Sequence, residues 1–266
     1  MASNGNGPEI IEFLPDLTTK KKKGVHRPIY AEVFTNELVK GEAPKVIHLM
    51  VNPFSGKKKG EKIASQASAI FEENGISVTM HLSTYSGELI QLAAGLTTNE
   101  SDIVAVVGGD GSLSEVVTGL MQAGIKCRVG LIPAGTGNSM ANDLSIKSTE
   151  DAVARVCAGH YQTLDLAKVD MVAGLPGSEG GELTRYSTNL VTWGLGVDST
   201  IKAEKMRWMG PMRYDVGILM AIMANNRRNA KLTIDGHVFE DDFTLFLIQN
   251  SQTGGSLLPL APGASL

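Results

Sequence analysis

Cysteine is almost absent from this 266-residue chain. Its two cysteines, Cys127 and Cys157, form no Cys-x-x-Cys pair, which excludes a disulfide framework and fits a reducing compartment. Positive charge is not in excess either. The 24 Lys and Arg stand against 28 Asp and Glu, a formal net charge of -4 with an isoelectric point near 5.8. A chain without a basic field lacks the electrostatic basis for binding nucleic acid. Long apolar runs are also missing. The longest, residues 218–224, falls well short of the ~20 residues that span a bilayer. The first ten residues hold no signal-peptide core, and Ala2 stands where a myristoylation signal needs glycine. Membrane contact is therefore expected to be peripheral, from a cytoplasmic location. The five histidines, His26, His48, His81, His160 and His237, share no metal-ligand spacing, so no metal ligand is assigned.

With 42% hydrophobic and 20% charged residues, the composition is that of a folded globular body of one large or two modest domains. Residues 1–43 are polar, carry a lysine run at 20–23, and read as a disordered or loosely docked tail. From Pro44 short apolar runs alternate with helical spacing. Strands are expected at 46–51, 76–82, 103–107 and 128–132, and helices over 58–74 and 88–96. A further helix runs to Met121, with Ser112 as N-cap and Glu115 at the capping-box offset. Strand and helix alternating through 44–159 imply an α/β domain, an open, mostly parallel sheet with helices on both faces. Residues 160–266 read as a second, β-rich domain. Its strands are expected at 164–172, 184–192, 231–235 and 243–249, with a Gly-rich loop at 174–181 and a helical stretch over 201–225.

Ligands of open α/β sheets bind beyond the carboxyl ends of the strands. Three glycine-bearing loops fall there: Asn52-Pro53-Phe54-Ser55-Gly56, Gly108-Gly109-Asp110-Gly111-Ser112, and Pro133-Ala134-Gly135-Thr136-Gly137-Asn138. Glycine lets backbone N–H groups approach an anion, and a following helix N-terminus favours negative charge, so a phosphate-bearing ligand is expected. None of the three is a P-loop, because Gly56-Lys57 is followed by Lys58 and Lys59. Phosphoryl transfer rests on positioning and charge neutralisation. Asp110 on a Gly-flanked turn, with Arg207 and Arg213, supplies a carboxylate and two bidentate cations suited to it.

The three loops, taken with Glu115, resemble the catalytic domain of the diacylglycerol kinase and sphingosine kinase family. The likeness continues through Trp193-Gly194-Leu195-Gly196-x-Asp198 and Glu204-Lys205-x-Arg207-Trp208-x-Gly210-x-x-Arg213-Tyr214-Asp215, a block similar to that of sphingosine and ceramide kinases. The resemblance implies a lipid kinase that moves the γ-phosphate of ATP, with Mg²⁺, to a lipid hydroxyl at a membrane surface. It implies that Asn52, Pro53 and Phe54, Ser83 with the loop to Gly87, Gly109, Gly111, Glu115, Gly135, Thr136 and Gly137 contact the nucleotide. Arg207 and Arg213 would reach its phosphates. Asp110 would be the catalytic carboxylate, and Gly108, Asp110, Asp198 and Thr200 would border the lipid.

Three features depart from the family pattern. Sphingosine kinases have an acidic residue where this chain has Thr200, so an amine head group loses that partner unless Asp198 substitutes. A family His-Ala pair is here Glu88-Leu89. Family members also continue beyond the segment matching Ala261-Pro262-Gly263, so the β-rich, sandwich-like domain is expected to be incomplete, with Leu257, Leu258 and Leu260 uncovered and low stability. The acceptor stays open among sphingoid base, ceramide and diacylglycerol. An NAD kinase, which shares the Gly-Gly-Asp-Gly loop, and a non-catalytic nucleotide- or lipid-binding fragment are the alternatives.

Overall fold

Apolar strands with no polar face are stable only between two layers of helix, and the strands Val46–Val51 and Ile103–Gly108 lie in that setting. In a computed structural model, described for residues 39–99, 101–172, 181–209, 212–224, 226–254, 258–261 and 264, β1 (Val46–Val51) leads through one turn, α1 (Ser55–Lys58), into α2 (Gly60–Glu73). Then follow β2 (Ser77–Leu82) with α3 (Glu88–Ala94), β3 (Ile103–Gly108) with α4 (Asp110–Ala123), and β4 (Arg128–Pro133) with α5 (Ser139–Asp143) and α6 (Thr149–Ala158). All four strands are parallel, in the order β2-β1-β3-β4. The lysine run 20–23, most of the 174–181 loop, Leu257 and the Pro262-Gly263 pair lie outside the described residues.

Alternation along each strand divides the core in two. Ile47, Leu49 and Val51 of β1 and Ile103, Ala105 and Val107 of β3 pack with Ala64, Ala67 and Phe71 of α2 and with Ala152, Val153 and Val156 of α6. On the opposite face Met50, Val104, Val106 and Leu131 meet Leu89 and Ala93 of α3 and Leu113, Val116 and Leu120 of α4. Burying each such side chain is worth about 1.5–3 kcal/mol. The helices α3 and α4 approach closely because Gly119 carries no side chain: a Cβ there would run into the Ile90 carbonyl.

Helix α4 starts at Asp110, two residues ahead of the expected cap at Ser112. Extended Gly109 is the N-cap, while the buried Ser112 hydroxyl accepts a hydrogen bond from Asn52 Nδ2 (3.1 Å). Glu115 does not close a capping box. Its Oε1 accepts the Gly87 N–H at 3.2 Å instead.

The second half is a set of antiparallel pairs. Strands β5 (Ala167–Val172) and β6 (Glu182–Ser187) pair together, and β7 (Leu190–Gly194) is followed by α7 (Leu195–Lys205) and α8 (Met212–Ala224), separated by a 3₁₀ turn at Arg207–Met209. Next come β8 (Arg228–Ile234) and β9 (His237–Phe243), paired with each other, then β10 (Leu245–Gln249), which pairs with β7. Two short strands, β11 (Thr253–Gly254) and β12 (Leu258–Pro259), close the described chain. Three expectations are corrected. The run 184–192 is two strands, broken at the buried pair Thr188-Asn189. The stretch 201–225 is two helices that start earlier, at Leu195. Strand β9 is additional: three consecutive acids, 240–242, hide its alternation. Its signal was the Asp235-Gly236 turn, both residues with positive φ (49° and 84°), which suits a tight hairpin.

The second half docks on the first through α4. The Tyr186 carbonyl on β6 accepts from Ser114 Oγ (2.8 Å), and the Tyr186 N–H donates to Thr118 Oγ1 (3.0 Å).

Two predictions follow from these local energetics. Gly56, Lys57 and Lys58 are three consecutive residues at positive φ (54°, 63° and 65°). A left-handed residue with a side chain costs about 1–2 kcal/mol, so Lys57→Gly should raise stability by up to about 1 kcal/mol in chemical denaturation after the glycine entropy cost is subtracted. The Asp198–Arg228 pair gives the second: both carboxylate oxygens lie 2.9 and 3.0 Å from Arg228 Nη2, and hydrogen bonding from Arg228 holds the Asp198 carboxyl below the usual carboxylate range. Its contribution is therefore complete above the unfolded value near 3.9 and fades as pH falls through the lower folded value. The urea midpoint of Asp198→Asn should fall less steeply than that of the unmodified chain below about pH 4, and parallel slopes would contradict this assignment.

Candidate active site

In the order β2-β1-β3-β4 the chain leaves β1 toward one edge of the sheet and β3 toward the other, so the topological switch point lies between them. The loops after β1 and β3 meet there, and the loop after β4 closes on both. The Asn52 N–H donates to the Val107 carbonyl (3.1 Å). Its side chain braces two loops at once: Nδ2 reaches Ser112, and Oδ1 accepts the Phe54 N–H (3.0 Å) in an Asx turn that leaves Phe54 59% exposed. The Gly108 carbonyl accepts N–H groups from Ala134 (2.8 Å) and Gly135 (3.2 Å). A Cβ on Gly56 would strike the Ala134 carbonyl, so the first loop rests directly on the third.

The second and third loops also meet glycine to glycine. A Cβ on Gly135 would sit 2.6 Å from Gly109 Cα and 2.6 Å from Asn138 Oδ1, so the cradle between the second and third loops exists because neither glycine bears a side chain. Asn138, at φ 50°, donates from Nδ2 to the Gly135 carbonyl (2.9 Å). Its Oδ1 is buried without a hydrogen-bond partner among the described residues. A buried orphan acceptor beside a glycine cradle matches a ligand that brings a donor, such as a hydroxyl or a metal-bound water.

Asp110 is held firmly. Its Oδ2 accepts the Ser139 N–H (3.0 Å) and its Oδ1 the Met140 N–H (2.9 Å), the first two amides of α5. A carboxylate has about four lone-pair positions, so half of its acceptor capacity is left. Gly111 faces open space, and Thr136 on the third loop is exposed. Ser83 is buried and donates to the Val51 carbonyl (3.3 Å), fixing the end of β2 against β1. Gly87, left-handed at φ 89°, joins that end to α4 through Glu115. Burial pushes the Glu115 carboxyl up, opposed in part by the Gly87 N–H and the Arg185 charge. At the family's His-Ala position, the Glu88 carboxylate accepts from both the N–H and the hydroxyl of Thr84, a closure of the loop that leads into α3.

Asp198, Thr200 and Arg213 are bonded within the second half. Asp198 carries the Arg228 pair already described, and the Thr200 hydroxyl donates back to the Gly196 carbonyl (2.9 Å) on its own helix. Arg213, 14% exposed, lies 3.6 Å from the Glu204 carboxylate, tying α8 to α7. The side chains of Arg207, Tyr214 and Asp215 lie outside the described residues. One group escaped the sequence reading. The Asp143 carboxylate, at the end of α5, accepts the Thr253 N–H (3.0 Å) and the Thr253 hydroxyl (2.8 Å) across 110 residues of sequence, a spacing that carries no local signal.

The family described as diacylglycerol kinase catalytic domain matches residues 46–169. A diacylglycerol kinase of Mycobacterium tuberculosis is 30% identical over 234 residues, covering 86% of this chain and 72% of that protein. Sphingosine kinase 1 of Arabidopsis thaliana is 29% identical over 217 residues, covering 77% of this chain and 43% of that protein. The chain therefore spans about two fifths of the plant sphingosine kinases it matches. A crystal structure of a diacylglycerol kinase from Bacillus anthracis superposes with a TM-score of 0.59 at 20% identity, over 82% of this chain and 68% of that one, a likeness of fold. With the matching glycine loops gathered at one switch point and a relative aligned over most of its length, the chain belongs to the diacylglycerol kinase catalytic domain family.

Proposed function

We propose that this chain carries the catalytic centre of an ATP-dependent lipid kinase. The observation that carries the reading is the meeting of three glycine loops at the β1/β3 switch point, with Asp110 fixed at the start of α4. In the reaction proposed, a lipid hydroxyl oxygen attacks the γ-phosphorus of ATP as the bond to the β,γ-bridging oxygen breaks, and ADP leaves. The hydroxyl proton passes to the free lone pairs of Asp110. The loop amides, with Arg207 and Arg213, would bear the phosphate charge.

Mg²⁺ supplies charge neutralisation at the phosphates when bound. Among the described residues no cluster of three or more His, Cys, Asp or Glu could hold a metal ion. That donor set suits an ion carried in by the nucleotide, held by its phosphates and by waters, one of which would donate to the buried Asn138 Oδ1.

The acceptor favoured is a neutral lipid alcohol, as in diacylglycerol or ceramide. Thr200 offers no charge to an amine, and Asp198 is engaged by Arg228 through both oxygens. Contact with the bilayer that holds such a lipid would be peripheral, at a cytoplasmic face: no helix among the described residues is long and apolar enough to cross a membrane. The surface supporting this contact is the α7–α8 layer, where Trp208 is 83% exposed and Leu219, Ile222 and Met223 are more than half exposed. A layer this apolar is suited to lie in an interface.

The test is label transfer from γ-labelled Mg-ATP to micellar diacylglycerol, ceramide and sphingosine, and to NAD. Transfer to a neutral lipid is expected, with Asp110→Asn lowering it by about 10²-fold or more. Transfer to NAD alone, or to no acceptor while ATP is still bound, would overturn the reading. Gly135→Ala supplies a further prediction: its methyl group meets the Gly109 backbone and forces the two loops apart, so the thermal midpoint should fall, and ATP affinity should fall at least tenfold by direct titration at a temperature where the variant is still folded.

A further inference from the structure

Helix α5 has five residues, too few to hold its own geometry in water. Met140 and Ala141 seat it in the core, and hydrogen bonds fix it at both ends. At the start, the Ser139 and Met140 amides grip Asp110; at the finish, Asp143 is gripped by Thr253 through two bonds. Thr253 is itself rigidly mounted. Ser251, fully buried, bonds to the Asn189 side chain, the Asn250 N–H donates to the Asn189 carbonyl (2.8 Å), and Asn250 Nδ2 donates to the carbonyls of Asp165 and Thr188 (the latter at 3.3 Å). The Thr253 hydroxyl also lies 3.5 Å from the Ser139 carbonyl, back at the start of the helix.

We propose that Asp143 and Thr253 are positioning residues for Asp110, a clamp through which the second half of the chain sets the amide pair that aims the carboxylate. The proposal rests on the lipid-kinase reading for its effect on rate and stands on geometry alone for its effect on α5. Removing the Thr253 hydroxyl releases one bond to Asp143 and leaves α5 free to rock about its remaining contacts. The Ser139 and Met140 amides then hold Asp110 less of the time. The first two loops keep their nucleotide contacts, and the third stays fixed by its Ala134 and Gly135 amides on the Gly108 carbonyl, so turnover suffers and ATP affinity does not.

The experiment compares the full chain with Thr253→Val, Thr253→Ser and Asp143→Asn by amide hydrogen exchange at residues 139–143, thermal midpoint, and steady-state label transfer. Thr253→Val should speed exchange at Ser139 and Met140 by about tenfold with little change in the thermal midpoint. It should lower kcat by about tenfold while KM for ATP stays within about twofold, because a small misplacement of a reacting group costs rate and not binding. Thr253→Ser, which keeps the hydroxyl, should restore both, and Asp143→Asn should reproduce the loss by a second route. Unchanged exchange in Thr253→Val overturns the clamp, as does a kcat loss that comes with an equal loss of ATP affinity and is not restored by serine. If the unmodified chain transfers no phosphate to any lipid, the lipid-kinase reading fails and the exchange data alone decide the clamp.

Discussion

Both oxygens of Asp110 rest on the first two amides of α5, and the arrangement around the switch point depends on that grip. It ties the loop after β3 to the loop after β4 on the side where Gly109 and Gly135 nearly touch. Charge-assisted hydrogen bonds of this kind are about twice as strong as neutral ones, and two of them orient a short helix that Met140 and Ala141 anchor in the core. The consequence is a carboxylate of known direction whose other lone pairs face away from the protein backbone that fixes it.

The same economy governs the other loops. Asn52 uses its carbonyl oxygen to turn its own loop and its amide to reach Ser112, so the position that family resemblance assigns to the nucleotide is also a brace between two loops. Glu115 is held by Gly87 in the same double capacity, and its half-buried carboxyl is pushed up by desolvation. In the second half, the Asp198 charge is matched by Arg228 through both carboxylate oxygens.

The parallel domain was legible because β1, β3 and β4 are short apolar runs that end at glycine or proline, because β2 alternates, and because each buried helix face repeats at helical spacing. The start of α4 was not, since a serine followed three residues later by glutamate satisfies the capping pattern whether or not those side chains are free to cap. Here Asn52 and Gly87 claim them first. Strand β9 was hidden by its acids, and the run 184–192 concealed a break whose cause, the packing of Thr188 and Asn189 against Asn250 and Ser251, comes from residues some sixty positions away.

Sequence alone determined the kind of chain this is: a parallel α/β unit whose glycine loops expect phosphate, followed by a β-rich part with an apolar helical layer. Those properties reside in local periodicity, in the φ freedom of glycine and in residue chemistry, all of which are written within a few positions of each other. Tertiary structure decided which polar groups are already spoken for. That Asp110 faces two amides, that Asp198 is paired with Arg228, and that Asp143 meets Thr253 are outcomes of packing between distant segments, and hydrogen bonds across 29 to 110 residues leave no periodic trace in the sequence they join.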